Sequence, residues 1–151
     1  MDEKMVNIFY SYSHKDKVHK ENMEKFLTIL RREKIINEWS DKEILAGQNI
    51  QSEISAALAK ADVVIFLISI DFLNSDACIQ EWDKANEVAK IENKKLISVI
   101  LRECPWSDFS NMSESLALPY DGKPISLWDD LDSAWQDVYK GIKRVIQDIK
   151  K

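Results

Sequence analysis

Five short apolar runs recur along the chain with amphipathic stretches between them, at residues 6–10, 35–39, 63–68, 96–101 and 125–128. The third is an unbroken series of Val, Ile, Phe and Leu, and the fourth is interrupted only by Ser98. Apolar runs of strand length without alternation are expected of central strands covered on both faces. Between them the period lengthens. Over residues 17–32, Met23, Phe26, Leu27 and Leu30 fall at helical spacing behind a cap-box-like start at Ser13 and Asp16. Residues 49–61 repeat the pattern with Ile50, Ile54, Ala57, Leu58 and Ala61, and Asn49 is placed to cap them. Residues 75–90 carry Cys78, Trp82, Ala85 and Ala89, and the last helix carries Leu131, Trp135, Val138, Ile142, Val145 and Ile149. Strands alternating with helices predict βαβ units, hence an α/β domain with a parallel sheet and helices on both faces.

One stretch breaks the alternation. Residues 102–124 contain Pro105, Pro119, Pro124 and Gly122 and little periodicity. Loops of that length inside a domain are either functional or hide a short element, and a short helix is expected near residues 111–116.

With 151 residues, 45% of them hydrophobic and 31% charged, the chain reads as a single domain able to bury its own core. A net charge of −5 and the lack of a basic stripe argue against a nucleic-acid partner. Cys78 and Cys104 are far apart and read as reduced thiols, with one disulfide left open as the alternative. His14 and His19 have no cysteine cluster beside them, so no metal site is expected. The opening Met-Asp-Glu-Lys leads straight into a strand-like run, without the basic and apolar regions of a signal peptide. No apolar run is long enough to span a bilayer. The expectation is a cytoplasmic protein with no membrane partner.

In an open parallel sheet, ligands gather at the carboxyl ends of the strands. Ser11-Tyr12-Ser13, Ser40-Asp41 and Ser69-Ile70-Asp71 stand there as a polar rim, which turn and cap chemistry also explains. Three glycines supply no G-x-G-x-x-G, no P-loop and no Gly-x-Ser-x-Gly elbow. A phosphoreceiver would need an acidic cluster where the first strand ends in Tyr-Ser-Tyr-Ser. The third helical pattern is more informative. At 100° per residue, Glu81 lies roughly 70° from the centre of the apolar stripe, on a flank shared with Ala77 and Val88. A carboxylate bordering a core is a candidate for tuned chemistry, while a solvated Glu pairing with Lys84 is the plainer alternative. Trp82 and Trp135 read as core anchors, Cys78 as packing and His14 as exposed.

The segment from Ile8 to Ser13, followed by His14-Lys15-Asp16, resembles the first sequence box of the TIR (Toll/interleukin-1 receptor) domain family. Trp39-Ser40-Asp41-Lys42-Glu43-Ile44-Leu45-Ala46-Gly47 with Ile50 resembles the second box, the BB loop. The segment from Ala61 to Ser69 is similar to the third strand, and Ser126-Leu127-Trp128 to the third box. Ser75-Asp76-Ala77-Cys78-Ile79-Gln80-Glu81 resembles the Ser-x-x-Cys-x-x-Glu segment that carries the catalytic glutamate of NAD-cleaving TIR domains of the bacterial type. The resemblance runs from Met5 to Lys150.

It implies a flavodoxin-like three-layer sandwich with a five-stranded parallel sheet, spanning residues 1–151 as one domain that a sensor could follow in a longer protein. It also implies cleavage of the nicotinamide–ribose bond of NAD+, yielding nicotinamide with ADP-ribose or a cyclic isomer, in an assembly-activated antiphage effector. NAD+ would be the substrate, with no cofactor besides it, and other TIR domains the partners. Glu81 would be catalytic. Phe9, Tyr10, Ser11, Trp39 and Phe72 would line the pocket, and Ile44 to Gly47 would form its lid or a neighbour contact. One position departs from the pattern. Where many active members carry an aromatic one turn before the glutamate, this chain has Ala77. Either Phe9, Trp39 or Phe72 supplies the stacking surface, or turnover is weak. A non-enzymatic TIR–TIR adaptor is the principal alternative, and an enzyme like the nucleoside deoxyribosyltransferases a further one.

Overall fold

Alternation along the strands decides which helix layer each side chain meets. The computed structural model describes residues 4–40, 56–109 and 111–150. Strand β1 (Val6–Ser11) leads through a 3-10 turn (His14–Asp16) into α1 (Lys17–Arg32) and β2 (Ile36–Ser40). Helical residues 56–60 (α2) precede β3 (Val63–Ile68), α3 (Ile70–Leu73), α4 (Asp76–Ile91) and β4 (Lys95–Ile100). A short β5 (Leu116–Leu118) and α5 (Leu131–Ile149) follow. The sheet order is β2-β1-β3-β4-β5, with every neighbouring pair parallel. This is the flavodoxin-like, three-layer α/β arrangement expected from the sequence.

In β3, Val63, Ile65 and Leu67 face one layer, where Met23, Leu27 and Leu30 of α1 meet Trp135, Val138 and Ile142 of α5. Val64, Phe66 and Ile68 face the other, against Leu58 of α2, Phe72 of α3, and Cys78, Trp82 and Ala85 of α4. Successive strand side chains point to opposite faces, so an unbroken apolar strand feeds two cores at once. Helix α4 starts cleanly because the Ser75 hydroxyl accepts the Cys78 N–H at 3.2 Å.

The second strand lies one residue later than expected. The fifth differs more. Residues 125–128 were expected to form it, yet Ile125–Leu127 is a 3-10 turn, and the strand is Leu116–Leu118, beside β4 with Ser98 opposite Ala117. Ile125 is apolar because it plugs the α1–α5 layer, where it is 1% exposed. Pro124 before it has no N–H to give a ladder. The short helix expected at 111–116 is a 3-10 turn, Met112–Glu114, running directly into β5. A three-residue edge strand closed by Pro119 is too short to show a period. Of the expected second helix, residues 49–55 lie outside the described residues.

Candidate functional site

Ser11 is the last residue of β1, and its register partner on β3 is Phe66. Both are buried. The Ser11 hydroxyl donates to Glu81 Oε1 at 3.2 Å, tying the carboxyl end of β1 to α4. Glu81 is 3% exposed, so it is not the solvated flank residue of the plainer sequence alternative. A carboxylate in such a place acts through a low local dielectric, where its field on a nearby cation is strong. The donated O–H fixes the orientation of the carboxylate.

An aromatic cluster fills the core of the same layer. The ring of Phe66 lies 4.8 Å from that of Trp82, the residue after Glu81, and 6.1 Å from that of Phe72, both in edge-on contact. Phe9 and Phe72 are fully buried in this same layer, and Trp39 packs against it partly buried. Phe9, Ser11, Trp39 and Phe72 therefore share the α4 side of the sheet with Glu81. Tyr10 does not. Neighbouring strand residues face opposite ways, and Tyr10 sits in the α1–α5 layer, where its hydroxyl donates to Glu24 at 2.6 Å. Ile44 and Gly47 lie outside the described residues. Ala77 is exposed on α4.

Phe66 was legible in the sequence only as strand core. Its place beside Ser11 depends on the register of β1 against β3, which no local pattern encodes. Cys78 is buried and Cys104 half-buried, both as free thiols, and burial raises the Cys104 thiol above its ordinary range. Among the described residues no cluster of three or more His, Cys, Asp and Glu side chains is placed to hold a metal ion. Nor is any described helix long and apolar enough to cross a membrane.

The chain is 36% identical over 142 residues to an uncharacterized protein of Sinorhizobium fredii, y4lF. That match covers 92% of this chain but 43% of the relative, so the chain spans less than half of the relative's length. Among solved structures it is similar to the TIR domains of the activated Roq1 resistosome, with a TM-score of 0.67 at 16% identity over 91% of this chain and 99% of that one. The TIR domain of the Toll-related receptor TRR-2 from Hydra magnipapillata follows with 0.61 at 18% identity, covering 90% and 97%. The CMP N-glycosidase BcmB of Clostridium botulinum gives 0.55 at 11% identity, covering 91% and 98%. At these identities the structural likeness is one of fold. The TIR domain family model matches residues 8–141, nearly the whole of the sheet and its helices, and the chain belongs to the TIR domain family.

Proposed function

We propose that this TIR domain is an NAD+ glycohydrolase with Glu81 as its catalytic residue. The observation that carries the reading is the Ser11–Glu81 hydrogen bond at the carboxyl end of the sheet, where α/β folds receive ligands. Nicotinamide is an unusual leaving group because it is already cationic. When the bond from the ribose anomeric carbon to nitrogen breaks, the electron pair goes to the pyridinium nitrogen, and nicotinamide departs neutral. No general acid is needed. The ribosyl centre left behind is oxocarbenium-like, and a pre-oriented carboxylate stabilises that charge. Water then adds at the anomeric carbon and releases a proton, giving ADP-ribose; attack by a ring nitrogen of the same molecule's adenine gives a cyclic isomer instead. One placed carboxylate is enough for this chemistry, whereas an ordinary glycosidase uses two.

Phe9, Phe66 and Phe72 pack the core of the layer that holds Glu81, and Trp39, only partly buried against that core, keeps apolar surface for a ligand. Similarity of fold to a CMP N-glycosidase supports the reading by analogy, since this scaffold can host cleavage of an N-glycosidic bond. The likeness to TIR domains within an activated resistosome supports activity that depends on TIR–TIR assembly. An effector role in cytoplasmic antiphage defence is the setting in which destruction of NAD+ would act.

A second reading, a non-catalytic TIR–TIR adaptor, is favoured by Ala77. It offers no stacking face one turn before Glu81 and is exposed. The two separate in one experiment. NAD+ consumption and products are followed by chromatography for wild type and Glu81→Ala, in dilute solution and under crowding that drives assembly. Nicotinamide release that disappears in a folded Glu81→Ala variant is the expected result. No turnover by assembled wild type would leave the adaptor reading in its place.

A further inference from the structure

The carboxyl edge of the sheet carries a second polar cluster that the reaction above does not use. Asp16 occupies the N-cap position of α1 but makes no side-chain cap bond there. It is 1% exposed, and its carboxylate reaches out of its own element. Oδ2 accepts from the Ser69 hydroxyl at 2.5 Å, and Oδ1 accepts from Arg102 Nη2 at 3.0 Å. The same Nη2 donates to Asp71 Oδ2 at 2.8 Å, and Lys15 Nζ stands 3.8 Å from Asp71 Oδ1. The Ser69 oxygen also accepts the Phe72 N–H at 3.1 Å.

Helix capping does not account for this arrangement. The Asp16 side chain caps nothing, and taking a carboxylate out of water is costly unless it is paired and hydrogen-bonded. What the buried Asp16 does is join the turns that follow three adjacent strands. Asp16 follows β1, Ser69 follows β3, and Arg102 follows β4. The link continues through Ser69 to the first turn of α3, which carries Phe72. Phe72 stands edge-on to Phe66, and Phe66 against Trp82, the neighbour of Glu81 on α4. The cluster thus spans the strand ends that set the distance between Ser11 and Glu81.

We propose that Asp16 is a positioning residue for the NAD+-cleaving site: by bridging Ser69 and Arg102 it locks the strand ends at the spacing where Ser11 meets Glu81 and Phe72 packs the core behind them. This rests on the function proposed above. Asp16 touches no reacting atom and acts through Ser11, Phe72 and Glu81. Displacing a catalytic group by about 1 Å can lower a rate about a hundredfold without changing what binds.

The test is Asp16→Asn, which keeps the size of the side chain while removing its charge and one acceptor; Arg102 retains Asp71. Four quantities are measured on the whole chain under assembling conditions: kcat and KM for NAD+, the thermal midpoint, and the carbon-13 resonance of the Glu81 carboxyl group, assigned with Glu81→Gln. The expected result is a fall in kcat of about tenfold or more, a KM within about twofold of wild type, and a displaced Glu81 resonance in a folded protein. An unchanged kcat overturns the proposal. So does a lowered kcat with an unmoved Glu81 resonance, because general loosening would do the same. Should Asp16→Asn fail to fold, Ser69→Ala removes the hydroxyl link to Asp16 together with the cap on the Phe72 N–H, and is read by the same criteria. Should wild type itself show no turnover, the NAD+ reading fails separately. The Glu81 resonance then decides alone, a displacement supporting the positioning role and an unmoved signal overturning it.

Discussion

The hydroxyl of Ser11 donates to Oε1 of Glu81 at 3.2 Å across a separation of 70 residues, so the end of the first strand orients the acid of the fourth helix. Removing one partner of a buried hydrogen bond leaves the other to bear its desolvation, at about 1–3 kcal/mol. Ser11→Ala is therefore expected to lower stability by about that amount and, on the function proposed above, to lower kcat for NAD+ about tenfold, since a carboxylate held by one bond fewer stabilises the ribosyl cation less well. Denaturant titration and steady-state kinetics check the two halves. A variant with wild-type kcat would remove Ser11 from the site.

His19 on α1 is half-buried, and its pKa is lowered from the ordinary 6.5, chiefly by burial. The Asp16 carboxylate opposes that shift and the Arg102 charge adds to it. The folded protein therefore resists protonating His19, while the unfolded chain takes up the proton at the ordinary value. Stability associated with this residue is intact above pH 6.5 and is lost as pH falls from there through the lowered folded-state pKa. The thermal midpoint of wild type should fall over that window, and His19→Gln should flatten this part of the profile. Parallel curves for the two proteins would exclude His19 as the cause.

Gly122 sits at φ +73°, and a Cβ built there would stand 2.9 Å from Cζ2 of Trp106. Left-handed backbone and a close aromatic act together at this one position. Gly122→Ala should destabilise by about 1–3 kcal/mol, seen as a lower urea midpoint at unchanged slope. An unchanged midpoint would mean that the turn relaxes around the methyl group.

Lys94 extends its side chain, 8% exposed, to the end of α2, where Nζ donates to the carbonyls of Ala59 at 2.9 Å and Ala61 at 2.6 Å. Carbonyls at a helix C-terminus lack partners within the helix, and a cation there meets both the orphan oxygens and the helix dipole. Lys94→Met keeps most of the stem and removes the donor, and is expected to cost about 1–3 kcal/mol. Faster amide exchange at Ala61 and neighbouring residues should accompany that loss. Exchange that stays at wild-type rates would show that solvent replaces the ammonium.

Read alone, the sequence determined the α/β class and four of the five strands to within a residue or so, because an apolar run of strand length next to a 3.6-residue stripe leaves few alternatives. It also singled out Glu81, whose offset from the stripe of Cys78, Trp82 and Ala85 is a property of one helix. The fifth strand was out of reach. Ile125 and Leu118 are both apolar because both are buried, and only their neighbours in space make one a plug and the other a strand. The same holds at the site. That Ser11 faces Glu81 while Tyr10 turns to Glu24 follows from the pleat of β1 and from which layer α4 occupies. Asp16 looked like a cap because capping is a local pattern; its partners Ser69 and Arg102 come from the ends of other strands. Periodicity along the chain reports which residues are buried and on which side of their own element. Register between strands and the layer each helix joins are set by contacts far apart in sequence, and those decide which buried residues meet.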